Sequence, residues 1–180
     1  MSDNSDAARV RDCLAGDPQA FAQLVEQYER PVYNVALRML RNPEDARDIA
    51  QSVFLKAYQN LSKYDPQFKF YSWIYRMAIN ESLNILRVRG RNEGPVDERT
   101  AADVAGPSEL LADDQRRDVV LNAIDRLKPE HRAVIVLKYF VGRDYEDMSQ
   151  ILGIDAKTVK SRLYTARQLL KEQLASRGIL

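Results

Sequence analysis

Two stretches of this chain carry side chains suited to holding nucleic acid. In LGIDAKTVKSRLYTARQLL, Leu152 to Leu170, a helical period of about 100° per residue places Val159, Leu163, Ala166 and Leu170 on one face. Lys157, Ser161, Tyr164 and Gln168 fall on the opposite face, with Lys160, Arg162 and Arg167 on the flanks. Outermost hydroxyls and amides can meet base edges in a major groove, while flanking cations neutralise phosphates. A charged helical face is ordinarily only solvated, so the preceding turn decides. Met148, Ser149, Leu152, Gly153 and Ile154 supply the small residue, turn glycine and packing residues of a helix-turn-helix.

The second stretch is KYDPQFKFYSWIYRMAIN, Lys63 to Asn80, in which Tyr64, Phe68, Phe70, Tyr71, Trp73 and Tyr75 are interleaved with Lys63, Lys69 and Arg76. Aromatic rings can stack unpaired bases while cations follow the backbone, a combination suited to single-stranded DNA. At least half of these rings are expected in the core of a small domain. Beyond them the helix is apolar nearly all round, except for a stripe of Arg76, Asn80, Asn84 and Arg87 that suggests a facing partner. A third segment, PEDARDIAQSVFLKAYQNL, turns Ala46, Ile49, Ala50, Val53, Ala57 and Leu61 inward. It leaves Asp48, Gln51, Ser52, Leu55 and Gln59 outside, an apolar side chain framed by polar ones as a protein-docking face would have.

Other chemistries lack their parts. Cys13 and His131 are the only cysteine and histidine, too few for an internal disulfide or a zinc site. No phosphate-binding glycine loop is present, so neither a catalytic set nor a metal or other cofactor is expected. Cys13 reads as a small apolar packing residue. With 45% hydrophobic and 29% charged residues the chain is ordinary for a folded protein, and no run is long enough for a membrane span. The polar, acidic start MSDNSDAARVRDC is no secretory signal, which points to a cytoplasmic protein without membrane insertion.

The elements that must position these side chains are all helical, since no segment sustains a period of two. An all-α fold of two small helical domains is expected, at 8–90 and 108–178, joined by a flexible acidic linker at 91–107 with two Gly and two Pro. In the first domain Asp17 should cap a helix beginning at Pro18, Pro31 permits a break or a kink, and a second helix runs from about Val32 to Leu40. Asn42 and Pro43 open a third ending near Leu61, and Ser72 caps a fourth reaching about Val88. In the second domain Ser108 should open a helix ending near Leu127, and Pro129 another ending around Val141 and Gly142. Asp144 with Asp147 resembles a capping box for a short helix ending at Gly153, and Asp155 caps the last, from Ala156 to about Ala175.

Three passages, DARDIAQSVFLKAY, FYSWIYRMAIN and LKPEHRAVIVLKYFVGRDYEDMSQILGIDAKTVKSRLYTAR, resemble in order and spacing the extracytoplasmic-function (ECF) sigma factors of bacterial RNA polymerase. The resemblance covers nearly the whole chain from about Ala20 to Leu174. It implies that the chain binds core polymerase at its clamp helices and flap and directs promoter-specific initiation, without being an enzyme itself. By position, Asp45, Asp48, Gln51, Ser52 and Leu55 would dock on the clamp helices. Phe70, Tyr71, Trp73, Tyr75, Arg76, Asn80, Asn84 and Arg87 would hold the melted minus-ten strand, the loop before them capturing an extruded base. Lys157, Lys160, Ser161, Arg162, Tyr164 and Thr165 would meet the minus-thirty-five duplex, with Lys138 and Arg167 near phosphates.

Two departures stand out. The clamp-facing helix of the family carries acids where this chain has Arg47 and Ser52, and Thr165 stands where the family commonly has Arg. Phosphorylation of Ser52 would restore negative charge, which makes a protein kinase a candidate partner beside an anti-sigma factor. The competing reading is a stand-alone helix-turn-helix regulator. Such a protein has no reason to carry the aromatic segment and its polar stripe.

Overall fold

The structure, a computed structural model, describes residues 2–92 and 109–177, with side chains described for 5–91 and 116–177. Its elements are α1 (Ser2–Leu14), α2 (Pro18–Leu40), α3 (Pro43–Gln59), a 3₁₀ turn (Leu61–Lys63), α4 (Phe70–Asn92), α5 (Glu109–Asp125), α6 (Pro129–Ile135), a π-helical turn (Val136–Phe140), α7 (Tyr145–Leu152) and α8 (Ala156–Ala175). No strand occurs among the described residues, as the missing period-two pattern implies. Of the segment read as a linker at 91–107, Arg91 and Asn92 belong to the end of α4, while 93–107 and the expected cap Ser108 lie outside the described residues.

Helix α1 is an element that the polar start did not announce. It is held by Val10, which is buried, and by Asp6, whose carboxylate is fully buried and accepts from the Tyr28 hydroxyl of α2. Burial and the Asp6 carboxylate together push the Tyr28 phenol well above its usual range. Cys13 packs against the core edge as a partly buried residue, and burial raises its thiol.

Pro31 does not break α2, which runs without interruption from Pro18 to Leu40. A proline inside a helix costs about 3 kcal/mol, whereas each buried aliphatic side chain contributes about 1.5–3 kcal/mol. Leu24 and Tyr28 before the proline and Val32, Val35, Met39 and Leu40 after it are all buried, so continuing the helix is the better solution. Asn42 caps α3 by accepting from the amides of Glu44 and Asp45, and Pro43 occupies the first turn.

Helix α4 starts at Phe70, three residues before the Trp73 that a Ser72 cap implies, and Ser72 lies buried in the first turn with its hydroxyl unpartnered. Burial of Phe70, at 1% exposure, fixes the earlier start. At its other end α4 continues to Asn92, past the expected stop near Val88. The first domain is the packing of α2 against α3 and α4, with Ala46, Ile49, Val53, Ile74, Ala78 and Ile79 closing its core.

In the second domain α6 passes into a π-helical turn rather than running on as α-helix to Val141. The Val141 amide donates to the Val136 carbonyl, and the Arg143 amide to that of Leu137. Such a turn rotates the residues it carries, here Lys138 and Tyr139, relative to the preceding helix. Helices α7 and α8 form the helix-turn-helix. Asp144 accepts from the Asp147 amide, Gly153 closes α7 at φ +65°, and the Ser149 hydroxyl donates to the Ile154 carbonyl across the turn. Asp155 then opens α8 by accepting from the Thr158 amide and hydroxyl.

Candidate nucleic-acid interface

On α8 the helical period separates inner and outer faces as expected. Val159, Leu163 and Ala166 are buried, while Lys157, Lys160, Ser161, Tyr164, Thr165, Arg167 and Gln168 are exposed and Arg162 is half-buried. Tyr164 is 64% exposed, a large ring with no core to fill and free to meet a groove. Thr165 turns its hydroxyl back to the Ser161 carbonyl, a bond that uses up its donor within the helix.

Two tyrosines that the sequence reading passed over organise the cations. The Tyr139 hydroxyl accepts from the Arg167 guanidinium at 2.6 Å, and Lys138 and Lys160 lie 5.0 and 5.3 Å from the ring centre of Tyr145. The rings steer three positive charges toward one edge of the recognition helix at modest energetic cost. Tyr139 lies in the π-helical turn, twenty-eight positions from Arg167, so sequence spacing did not signal the pair.

The aromatic segment divides differently. Phe70 is core, ringed by Tyr28, Tyr64 and Trp73 at centroid distances of 5.6–5.9 Å. The Tyr64 hydroxyl donates to the Phe68 carbonyl at 2.6 Å, pinning the loop before α4 and leaving Phe68 48% exposed. Trp73 is half-buried beside Tyr64. Arg76, Asn80, Asn84 and Arg87 form an exposed stripe on α4, so the polar positions face outward together and Asn80 is not a buried, backbone-satisfied residue.

Tyr71 and Tyr75 are buried where the two domains meet. The Tyr71 hydroxyl donates to Asp147 at 2.7 Å, Lys69 donates to the same carboxylate at 3.2 Å, and the Arg143 guanidinium sits 4.2 Å from the Tyr71 ring centre. Burial raises both phenols, and hydrogen bonding to Tyr71 and Asp147 raises the Lys69 ammonium, so all three keep their protons through the physiological range. The expected capping box is therefore only half formed. Asp147 leaves the start of its own helix and spends its carboxylate on the other domain.

On α3 the inward and outward residues fall as the pattern requires. Ala46, Ile49, Ala50, Val53, Ala57 and Leu61 are buried; Arg47, Asp48, Gln51 and Gln59 are exposed, Leu55 is 60% exposed, and Ser52 is half-buried. Asp45 is held by Arg89 of α4, so its charge is already partnered. Among the described residues no group of His, Cys, Asp or Glu could hold a metal ion, and no helix is long and apolar enough to cross a membrane.

Two family models match this architecture, Sigma-70 region 2 over residues 24–92 and Sigma-70 region 4 over residues 117–170. The ECF RNA polymerase sigma factor SigW of Bacillus subtilis is 32% identical over 177 residues, covering 92% of this chain and 95% of that protein. The chain belongs to the ECF sigma factors. A sigma factor is a non-catalytic subunit that binds core RNA polymerase and directs promoter-specific initiation.

Solved structures agree on the fold. A TM-score of 0.73 relates this sigma factor to CnrH in complex with the cytosolic domain of CnrY, at 24% identity and covering 96% and 98% of the two chains. The sigma factor RpoE in complex with the anti-sigma factor NepR from Bartonella quintana gives 0.66 at 25% identity, covering 86% and 96%.

Proposed function

We propose that this sigma factor grips its promoter at two points, with 8–90 as the downstream domain and 108–178 as the upstream one. Lys157, Lys160, Ser161, Arg162, Tyr164 and Thr165 meet the minus-thirty-five duplex, while Lys138 and Arg167 reach phosphates. Trp73, Tyr75, Arg76, Asn80, Asn84 and Arg87, with Tyr71 and the loop that Phe70 anchors, hold the melted minus-ten strand. The observation that carries this reading is the outward face of α8, where Lys160, Ser161 and Tyr164 are exposed side by side above a buried Leu163. Stacking platforms hold single strands and hydrogen-bonding side chains read duplex edges, so the chemistry of each surface suits the state of the DNA it would meet.

Asp48, Gln51, Ser52 and Leu55 of α3 form the polymerase-docking face, with Asp45 positioned beside them by Arg89. Arg47 and Ser52 leave this face short of negative charge, and phosphorylation of Ser52 adds about −1.5 to −2 charges there. The protein works in the cytoplasm, regulated by a kinase acting at Ser52 or by an anti-sigma factor. Core-polymerase affinities of Ser52→Ala, Ser52→Glu and the wild-type protein from its own host separate the kinase reading from harmless drift. Equal affinities in all three would remove Ser52 from the scheme.

The deciding experiment is reconstitution with core polymerase on fragmented genomic DNA, followed by sequencing of transcript starts. A shared pair of upstream elements is expected, lost with Ser161→Ala/Tyr164→Ala. Specific duplex binding without polymerase, and no initiation with it, would move the chain to the stand-alone regulators.

A further inference from the structure

Between the loop before α4 and the turn after α7 lies a cavity of about 230 Å³, walled by Tyr64, Phe68 and Trp73 of the first domain and by Gln150 and Gly153 of the second. We propose that it is a binding site for a purine nucleoside 5′-phosphate, a small-molecule ligand beyond polymerase and DNA. The site draws on both domains and does not depend on the reading of α4 as the strand-holding face.

Two buried atoms in its lining point to a ligand. The Ser72 hydroxyl, on a residue 3% exposed, and the Gln150 side-chain oxygen have no hydrogen-bond partner, whereas buried polar groups in folded proteins almost always have one. Gln150 requires a donor, and Ser72 can donate or accept. The edge of a purine offers N–H donors and ring-nitrogen acceptors side by side. Water is a poor substitute, because three aromatic rings give it nothing to bond. Size favours the larger base: an apolar cavity of about 150 Å³ holds a single benzene ring, so about 230 Å³ has room for a bicyclic one. Tyr64 and Trp73, with ring centres 5.5 Å apart, supply a surface on which such a base can stack.

The rest of a nucleotide finds its partners among the exposed residues that line the same cavity, Lys63, Asp65 and Arg76. One oxygen of Asp65 accepts from the Gln67 amide at 2.9 Å, which fixes the carboxylate and leaves its other oxygen to accept from a ribose hydroxyl, as acidic residues do in dinucleotide sites. The Arg76 guanidinium can hold a phosphate by two parallel N–H bonds, and the Lys63 ammonium, steadied by donating to the Asn60 side chain at 2.8 Å, adds a second positive charge. A Cβ at Gly153 would lie 3.2 Å from Nη2 of Arg76, so the glycine turn leaves the guanidinium its place. Stacking surface, hydrogen-bonding edge, ribose acceptor and phosphate cations therefore line one cavity. No part of a purine nucleotide is left without a partner.

The test uses the full chain without polymerase, which binds nucleotides itself. AMP and GMP are titrated by calorimetry and by the emission of Trp73, the only tryptophan, which lines the cavity. At least one of them should bind and change that emission. CMP should bind more weakly than the better purine nucleotide, and the matching nucleoside, without its phosphate, about 10-fold more weakly or worse, the worth of a charged hydrogen bond. Ser72→Ala and Gln150→Leu remove the two unpartnered atoms, and thermal melts should show both variants folded. Each should weaken the nucleotide about 2- to 10-fold, the worth of a neutral hydrogen bond. Arg76→Gln, at an exposed position where the fold is not at stake, should bring the nucleotide down toward its nucleoside. Failure of both AMP and GMP to bind at millimolar concentration would overturn the site. Equal binding of inorganic phosphate, or wild-type affinity in Ser72→Ala, Gln150→Leu and Arg76→Gln alike, would do the same.

Discussion

The recognition helix α8 and the start of α4 are both proposed to touch promoter DNA, yet the structure treats them in opposite ways. On α8, Lys160, Ser161 and Tyr164 stand in solvent with their cations ordered by Tyr139 and Tyr145. On α4, Tyr71 and Tyr75 are buried where the two domains meet, and only the lower stripe from Arg76 to Arg87 is open. A duplex reader can be left exposed, because duplex is met at the surface and unspecific contacts there are weak and reversible. Unpaired aromatic platforms are a different hazard, since they stack any single strand whatever its sequence. Covering one site and displaying the other is a consistent division.

The largest effect should come from two neighbouring residues of α8. Leu163→Ala removes a side chain that is 1% exposed and should cost about 2–5 kcal/mol of stability. Tyr164→Ala, one position on, removes a ring that is 64% exposed and should leave stability within about 0.5 kcal/mol. Its loss belongs to binding, about 1–3 kcal/mol for one base contact. Thermal melts and holoenzyme binding to a minus-thirty-five duplex check both. A Tyr164→Ala protein that melts early but binds normally would contradict the assignment of faces.

Trp73→Ala should come next and act on the other surface. Each stacked base is worth about 1–3 kcal/mol, so the melted complex should weaken while closed duplex binding is spared. Permanganate reactivity of the promoter separates the two states. Equal loss in both would mean that Trp73 supports the fold and not the strand.

The contrast between the surfaces also explains what the chain's residues announced in advance. The faces of α8 and α3 follow from local periodicity: Val159, Leu163, Ile49 and Val53 are buried and Tyr164, Asp48 and Leu55 exposed, with Leu170 and Ser52 half-buried between them. The helix-turn-helix was equally plain, because Gly153 at φ +65° and the Asp155 cap are local requirements. Long-range partners were not legible. Asp147 looked like half of a capping box, and nothing nearby in sequence shows that it bonds Tyr71, seventy-six positions away. Pro31 misled for the same reason: its local cost is visible, whereas the buried Val32, Val35 and Met39 that outweigh it belong to the tertiary core. The shift from α-helix to π-helical turn at Val136, and with it the place of Tyr139, has no local signature at all.

Salt offers a finer separation. If Lys160 meets a phosphate, Lys160→Ala should reduce the slope of log K against log salt by about 1 for upstream duplex binding, with sequence preference unchanged. Ser161→Ala should do the reverse, losing discrimination with the slope intact. The position of Lys160, 5.3 Å from the Tyr145 ring centre, predicts a partial version of its effect for Tyr145→Leu, which frees the ammonium without removing its charge. The measurement is a salt titration of holoenzyme on duplex and on a mismatched control.

The smallest effect concerns the start of α8. The Thr158 hydroxyl and then its amide, both donating to Asp155, hold that carboxyl below its usual range. A depressed acid contributes stability that is present above its unfolded value and is lost as pH falls through the folded one. The first turn of α8 should therefore fray only in strongly acidic solution, as pH falls from the ordinary carboxylate range downward, and be unaffected near neutrality. Because Asp155 is fully exposed, solvent screens the interaction, and the change should be confined to amide exchange at Thr158 and Val159 rather than to global unfolding. Asp155→Asn keeps an acceptor for the Thr158 amide without a titrating group, so its exchange should lose the acid dependence while the cap persists. Asp155→Ala removes both, leaving these amides with little protection relative to their intrinsic exchange at every pH. No comparable dependence is expected at Tyr71 and Tyr75, whose raised phenols stay protonated across the same window.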